Sequence, residues 1–252
     1  MVYSKFKVRI LRFINFGIYV FLRIILRVRY GKKRRDQLFS IKYFKSYHKV
    51  NQRRFSILWS ASKYGYDGWE PRVSTFLKGK TGELFVDIGA SVGYYTVLLA
   101  NNFKEVIAIE PEAESVSSLR QNTAHLENVC VMQEAVSNEE GEITFYVSPT
   151  IGRHTMIPLD EGVYVKTKVK TRTLESILGS KTASLVKVDT EGAELEILKS
   201  VPPELVESWL IEAHWGEQRK RELEESLTKK GYEIKWISPS HIFAYNDISA
   251  GM

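Results

Sequence analysis

One stretch of the sequence combines residue types and a spacing that point to a ligand: FVDIGASVGYYTVLLA, Phe85 to Ala100. An apolar run ends in Asp87, turns through Gly89 and Gly93, and re-enters an apolar segment of helical pattern. Three loop chemistries compete for it. The dinucleotide pattern G-x-G-x-x-G wants a glycine where Ser91 stands. A phosphate loop, G-x-x-x-x-G-K-[ST], is approached by Gly79-Lys80-Thr81, but Ser74 occupies the place of its first glycine and the tripeptide precedes the strand. D-x-G-x-x-x-G remains, followed one strand later by Glu110 at the tip of VIAIE. Glycine at 89 and 93 lets backbone pass close to a ligand, and Glu110 is placed to accept hydrogen bonds from two ribose hydroxyls. An acid-rich loop without a phosphate cradle suits a ligand with a ribose, no phosphate and a positive sulfonium. S-adenosylmethionine is such a ligand.

The surrounding pattern supplies elements to hold this loop. From residue 37 to 80 the text is helical in flavour and ends in DGWEPRVSTFL, where Asp67 can cap a helix and Pro71 suits an early helical position. LFVDI then predicts a short buried strand, followed by a helix through Leu99 and the strand VIAIE at 106–110. A helix from Glu112 to about Leu126 leads to VCVMQEAV, read as one strand over 129–136. ITFYV (143–147) and VYVKTKVKT (163–171) alternate as a half-exposed pair would. LVKVD (185–189) precedes a helix to Lys199, and WLIEAH (209–214) precedes one to Lys230. YEIKWI and IFAYN, joined by SPSH with no room for a helix, predict an antiparallel hairpin at one edge. The fold class expected is α/β, a mostly parallel sheet with helices on both faces.

From about Trp69 to Asn246 the chain resembles the FkbM-type class I S-adenosylmethionine-dependent methyltransferases, which have a Rossmann-like fold. The resemblance rests on FVDIGASVGYYT, AIEPEAESVSSLRQN, EAVSNEEGEITFY and, most specifically, LVKVDTEGAELEIL with the later LIEAHWG. It implies that Asp87, Gly89, Ala90 and Gly93 contact the methionine and ribose portion of the cofactor, that Glu110 binds the ribose, and that Glu134 and Ala135 contact the adenine. It places Asp189 and Glu191 where donor and acceptor meet, and Glu212 and His214 in the same cleft. Thr190 or Asp189 could instead cap the following helix, and Glu194 faces either the site or solvent. The implied reaction is in-line methyl transfer to a hydroxyl of a sugar, glycolipid or other small acceptor. A hydroxyl gains from a general base, for which His214 is suited by its intrinsic pKa. His154, in a segment the family often uses against the acceptor, is a second candidate. Alternatively Asp189, Glu212 and His214 hold Mg²⁺ or another divalent ion that acidifies the hydroxyl.

Charge is divided along the 252 residues. Up to Lys80 there are 20 Lys and Arg against three acids, and beyond it 16 against 27. Residues 1–36 read as a basic amphipathic arm, 37–80 as a helical extension and 81–252 as the catalytic domain. In the arm Lys5, Arg9, Arg12, Arg23 and Arg27 share one helical face, and Phe6, Ile10, Phe13 and Ile14 lie largely opposite. Its longest uncharged run, Phe13 to Leu22, falls well short of the roughly 20 residues that cross a bilayer, and no signal-peptide cleavage site follows. Residues 5–35 are therefore expected to lie on an anionic membrane surface; packing on the protein or a homodimer partner, and RNA contact, are the alternatives. The acidic balance after Lys80 argues against nucleic acid as substrate, although an RNA or protein methyltransferase that holds its substrate through the arm is the competing reading. Cys130 is the single cysteine, which excludes a disulfide framework and suits a cytoplasmic setting, peripheral to the membrane if the arm binds it. Within VCVM it is expected to be a buried core residue.

Overall fold

The computed structural model describes residues 70–147, 165–213 and 216–246. Expectations for the arm, for residues 37–69, and for His154 and His214 fall outside the described residues. A short helix α1 (Pro71–Lys78) leads into strand β1 (Gly82–Ile88), helix α2 (Tyr94–Leu99) and β2 (Phe103–Ile109). Then come α3 (Ala113–Thr123), β3 (Val129–Met132), β4 (Ala135–Ser137), β5 (Gly141–Val147), β6 (Val165–Thr173) and α4 (Leu174–Leu178). The remainder is β7 (Leu185–Val188), α5 (Glu194–Ser200), β8 (Ser208–Glu212), α6 (Gly216–Lys229), β9 (Glu233–Ser238) and β10 (His241–Tyr245). Pro71 opens α1 as expected, but the N-cap is Glu70 in a left-handed conformation, with no side-chain cap, rather than Asp67.

Seven strands form the main sheet in the order β3-β2-β1-β7-β8-β10-β9. β1, β2, β3, β7 and β8 run parallel, and β10 runs antiparallel to both of its neighbours. Parallel strands buried on both faces read as continuous apolar runs, and β1 is buried from Leu84 onward. Its alternate residues serve two layers. Leu84, Val86 and Ile88 pack with Leu195 and Leu198 of α5 and Leu223 and Leu227 of α6. Phe85 faces the other way, onto Val73 and Leu77 of α1 and Tyr95 and Leu99 of α2.

Two expectations are corrected here. VCVMQEAV is not one strand: β3 stays in the main sheet, Gln133 and Glu134 leave it, and β4 joins a second sheet of order β4-β6-β5. There β5 pairs antiparallel with β6 from Gly141↔Thr171 to Val147↔Val165. The polar pair sits where the chain exits the main sheet, a place where backbone and side chains need polar partners. Cys130 is exposed rather than buried, because β3 is the outermost strand on its side and one of its faces lies open. The final hairpin forms as expected, with its later strand inserted inward: β10, nearly all buried, lies between β8 and β9. The charged β9 takes the edge, where lysine and glutamate discourage further pairing. Among the described residues no helix is long and apolar enough to cross a membrane.

Candidate active site

The carboxyl ends of β1, β2, β7 and β8 share one rim of the sheet, and ligands of open parallel sheets bind beyond such a rim. The loop after β1 is fixed by its own backbone. The Gly89 and Ala90 amides both donate to the Ile109 carbonyl at 3.0 Å, and Gly93 N–H donates to Ala90 at 2.8 Å. Gly89 has φ 75°, and a Cβ there would lie 1.8 Å from the Asp189 carbonyl oxygen. The close approach demanded of this glycine is thus to the loop after β7. Gly93 is required by its backbone, φ 90°, and a Cβ there would also press on the Leu119 side chain of α3 at 2.6 Å. Ala90 is buried beside Ala108 and Leu119.

Glu110 follows β2 and is buried. Its two oxygens accept the Ser91 and Glu112 amides, each at 2.9 Å, which ties the β1 loop to the β2 loop. Burial raises its pKa to about 7, against the opposing pull of those two amides. Glu112 caps α3 by accepting from Glu114 N at 3.0 Å and Ser115 N at 2.6 Å. Glu134, between β3 and β4, has a buried Oε2 with no hydrogen-bond partner, and Ala135 beside it is buried and pairs with Thr171. A buried carboxylate oxygen needs a donor. The adenine amino group offers one, and ribose hydroxyls can add to the remaining lone pairs of Glu110. The acceptor groups of the rim therefore fit the amino and hydroxyl donors of S-adenosylmethionine.

A buried ionic cluster occupies the middle of the rim. Asp87 and Lys187 are register partners on adjacent strands, with Lys187 Nζ 3.7 Å from Asp87 and 3.4 Å from Asp189. Thr96 donates to Asp87 at 2.6 Å. Burial pushes the Asp87 carboxyl above its usual range, partly offset by Lys187 and Thr96. Burial draws Lys187 down, but Asp189, Asp87, Glu212 and Glu70 outweigh it and hold the ammonium above its ordinary range. Glu212 ends β8 and pairs in register with His241, the first residue of β10. His241 Nε2 lies 3.6 Å from Glu70 and 3.9 Å from Glu212. Its Nδ1 is 2.9 Å from the Ser238 hydroxyl and 3.1 Å from that of Ser240. Tyr95 donates its hydroxyl to Glu70 at 2.5 Å.

Asp87, Asp189 and Glu212 thus gather around the Lys187 ammonium, and three residues join them that the sequence did not single out. Lys187 had a signal: a lysine in the middle of an apolar strand cannot be buried without acidic partners. His241 had a weaker one, since an antiparallel last strand starts at the rim where the parallel strands end. Glu70 had none. In the loop after β7, Glu191 adopts φ 56° and is partly exposed. Glu194 does not face solvent. Its Oε1 accepts from Thr190 N at 3.1 Å, Thr190 Oγ1 at 2.9 Å and Gly192 N at 2.9 Å, locking the turn. Thr190 Oγ1 in turn accepts the Ala193 amide at 3.2 Å, but the N-cap of α5 is Ala193 itself, with no side-chain cap, so neither Thr190 nor Asp189 caps the helix as expected.

Residues 87–234 match the Methyltransferase FkbM domain. The chain is 26% identical over 189 residues to methyltransferase sdnD of Sordaria araneosa, covering 59% of this chain and 73% of that protein. It is 29% identical over 134 residues to the hexuronic acid methyltransferase AglP of Haloferax volcanii, covering 52% of this chain and 55% of that protein. The crystal structure of methyltransferase FkbM from Methylobacillus flagellatus KT superposes with a TM-score of 0.50 at 16% identity, over 87% of this chain and 60% of that one. That likeness concerns the fold, and there too the chain spans only part of the longer protein. The rim geometry and the domain match lead to one conclusion: this chain belongs to the FkbM family of class I S-adenosylmethionine-dependent methyltransferases.

Proposed function

We propose that the protein moves the methyl group of S-adenosylmethionine to a hydroxyl of a sugar, a glycolipid or another small hydroxylated acceptor. The observation that carries this reading is the division of the rim. Glu110 and the orphan oxygen of Glu134 lie on the β2–β3 side. The anionic cluster of Asp189 and Glu212 lies on the β7–β8 side. The first set suits the nucleoside, with Asp87, Gly89, Ala90, Gly93 and Ala135 completing its cradle. The second suits an acceptor hydroxyl that must lose a proton. AglP acts on a hexuronic acid by its name, which favours a saccharide acceptor.

In the step itself the acceptor O–CH₃ bond forms as the S–CH₃ bond breaks, the sulfonium becomes a neutral thioether, and the hydroxyl proton passes to a base. We assign that base to His214, two positions after Glu212 in the sequence, and acceptor recognition to His154 and Glu191. Alignment of donor and acceptor about 3 Å apart supplies much of the rate. In this reading the basic residues 5–35 hold the enzyme on an anionic membrane surface, at the cytoplasmic face, where lipid-linked acceptors are presented.

The test is incubation with methyl-labelled S-adenosylmethionine and separated lipid, saccharide, RNA and protein fractions. Label in lipid or saccharide is expected, lost in Glu110→Ala and reduced at least about 100-fold in His214→Ala. Label confined to RNA or protein overturns the acceptor class. Full turnover in His214→Ala and Asp189→Asn together removes the base assignment while leaving the cofactor in place.

A further inference from the structure

Three side chains far apart in sequence converge at the β8–β10 end of the rim. Glu70 precedes α1, Glu212 ends β8 and His241 opens β10. One carboxylate oxygen from each glutamate and a ring nitrogen of His241 all lie within 4.8 Å of one another, and among the described residues no other three acidic, histidine or cysteine side chains do so. Both Glu212 and His241 are almost fully buried, at 4% and 2% side-chain exposure, and Glu70 is at 24%.

Like charges brought together out of water repel strongly, and need a cation, a shared proton or separation. Among the described residues the Lys187 ammonium stands 3.4 Å from Asp189 and 3.7 Å from Asp87, on the β1–β7 side of the cluster. Four carboxylates at 70, 87, 189 and 212 surround that single ammonium. The distances from His241 Nε2 to the two glutamates, 3.6 and 3.9 Å, are too long for hydrogen bonds. They are only a few tenths of an ångström beyond the roughly 3.0–3.4 Å that separates neighbouring ligand atoms when metal bonds are about 2.1 Å. His241 also has the supporting shell that ligating histidines have. Its other ring nitrogen meets the hydroxyls of Ser238 and Ser240 in the β9–β10 turn, and a proton held there would fix the ring and turn the Nε2 lone pair to an ion.

We propose that Glu70, Glu212 and His241 form a divalent-cation site. A mixed imidazole and carboxylate set suits Mn²⁺ or Zn²⁺ better than an all-oxygen cage would. The ligand set differs from the one implied by the sequence: Glu212 is common to both, but Asp189 is engaged by Lys187 and His241 supplies the nitrogen. An ion here would acidify an acceptor hydroxyl that entered its coordination shell; that role rests on the methyl-transfer reading, whereas binding of the ion does not.

The experiment is a titration of EDTA-treated full-length protein with Mn²⁺, reading the loss of the free-ion signal by electron paramagnetic resonance. Glu70→Gln, Glu212→Gln and His241→Asn are titrated in parallel. Glu70 is the most exposed of the three and the least demanding on folding, and circular dichroism checks all of the variants. One Mn²⁺ per chain is expected in the parent, with affinity weakened at least about tenfold in each folded variant. A free-ion signal that never falls, or the same affinity in the parent and in Glu70→Gln, overturns the site. S-adenosylmethionine affinity, measured by calorimetry on the same samples, separates the two readings: retained cofactor binding without Mn²⁺ binding rejects the metal and leaves methyl transfer standing.

Discussion

At the scale of the residue, Glu110 connects burial to ligand chemistry. Its carboxyl is raised from the ordinary value of 4.5 to about 7. The folded state therefore holds more protons than the unfolded chain between those values. Its contribution to stability is lost as pH rises from about 4.5 through about 7, the sign opposite to that of an acid in a favourable salt bridge. Ribose hydroxyls donate best to the ionised form, so binding below pH 7 must expel a proton. S-adenosylmethionine affinity is expected to weaken by close to tenfold per pH unit below about 7 and to level off above it. Calorimetry from pH 5.5 to 8.5 reads this directly, with Glu110→Gln weak and flat across the range. A parent profile equally flat would take Glu110 away from the ribose.

At the scale of the element, β7 shows how a short strand carries a charge into a core. Leu185, Val186 and Val188 fill both apolar layers, and Lys187 between them is 2% exposed. It remains charged because its register partner is Asp87 and Asp189 follows the strand. Replacing it by Met keeps the volume and strands the aspartates without a cation. Lys187→Met is expected to cost about 3–5 kcal/mol in urea unfolding at pH 7.5, and less at pH 4.5, where the carboxyls can protonate. An unchanged midpoint at both pH values would show that the ammonium compensates nothing. The turn after β7 was readable in part from KVDTEGAE, but Glu194 was not. An acid at the first position of α5 gives no sign in sequence that it will fold back on three donors of its own loop.

At the scale of the molecule, the basic front and the acidic remainder point to separate tasks. If residues 5–35 lie on an anionic surface, each charge near it adds about 1 kcal/mol, and salt weakens the attachment. Full-length protein is expected to sediment with vesicles containing phosphatidylserine and to be released by about 0.5 M NaCl. A chain lacking residues 1–35 is expected to stay in the supernatant. Equal sedimentation of the two chains would assign the arm to packing or to a partner subunit.

The amino-acid sequence by itself determined the alternation of strand and helix, the loop at Asp87–Gly93, and the pairing of β5 with β6. These are local properties: periodicity records which face of an element meets the core, and glycine records where the backbone cannot carry a Cβ. Only the tertiary structure decided which elements become neighbours. It set Lys187 beside Asp87, a hundred positions earlier, left Cys130 on an open outer strand, and split Ala135 from Met132 into a second sheet. It also slid β10 inside β9, which brought His241 against Glu212 and Glu70. Strand order is fixed by the competition of whole apolar surfaces for burial, and that competition is written nowhere in the spacing of a single segment.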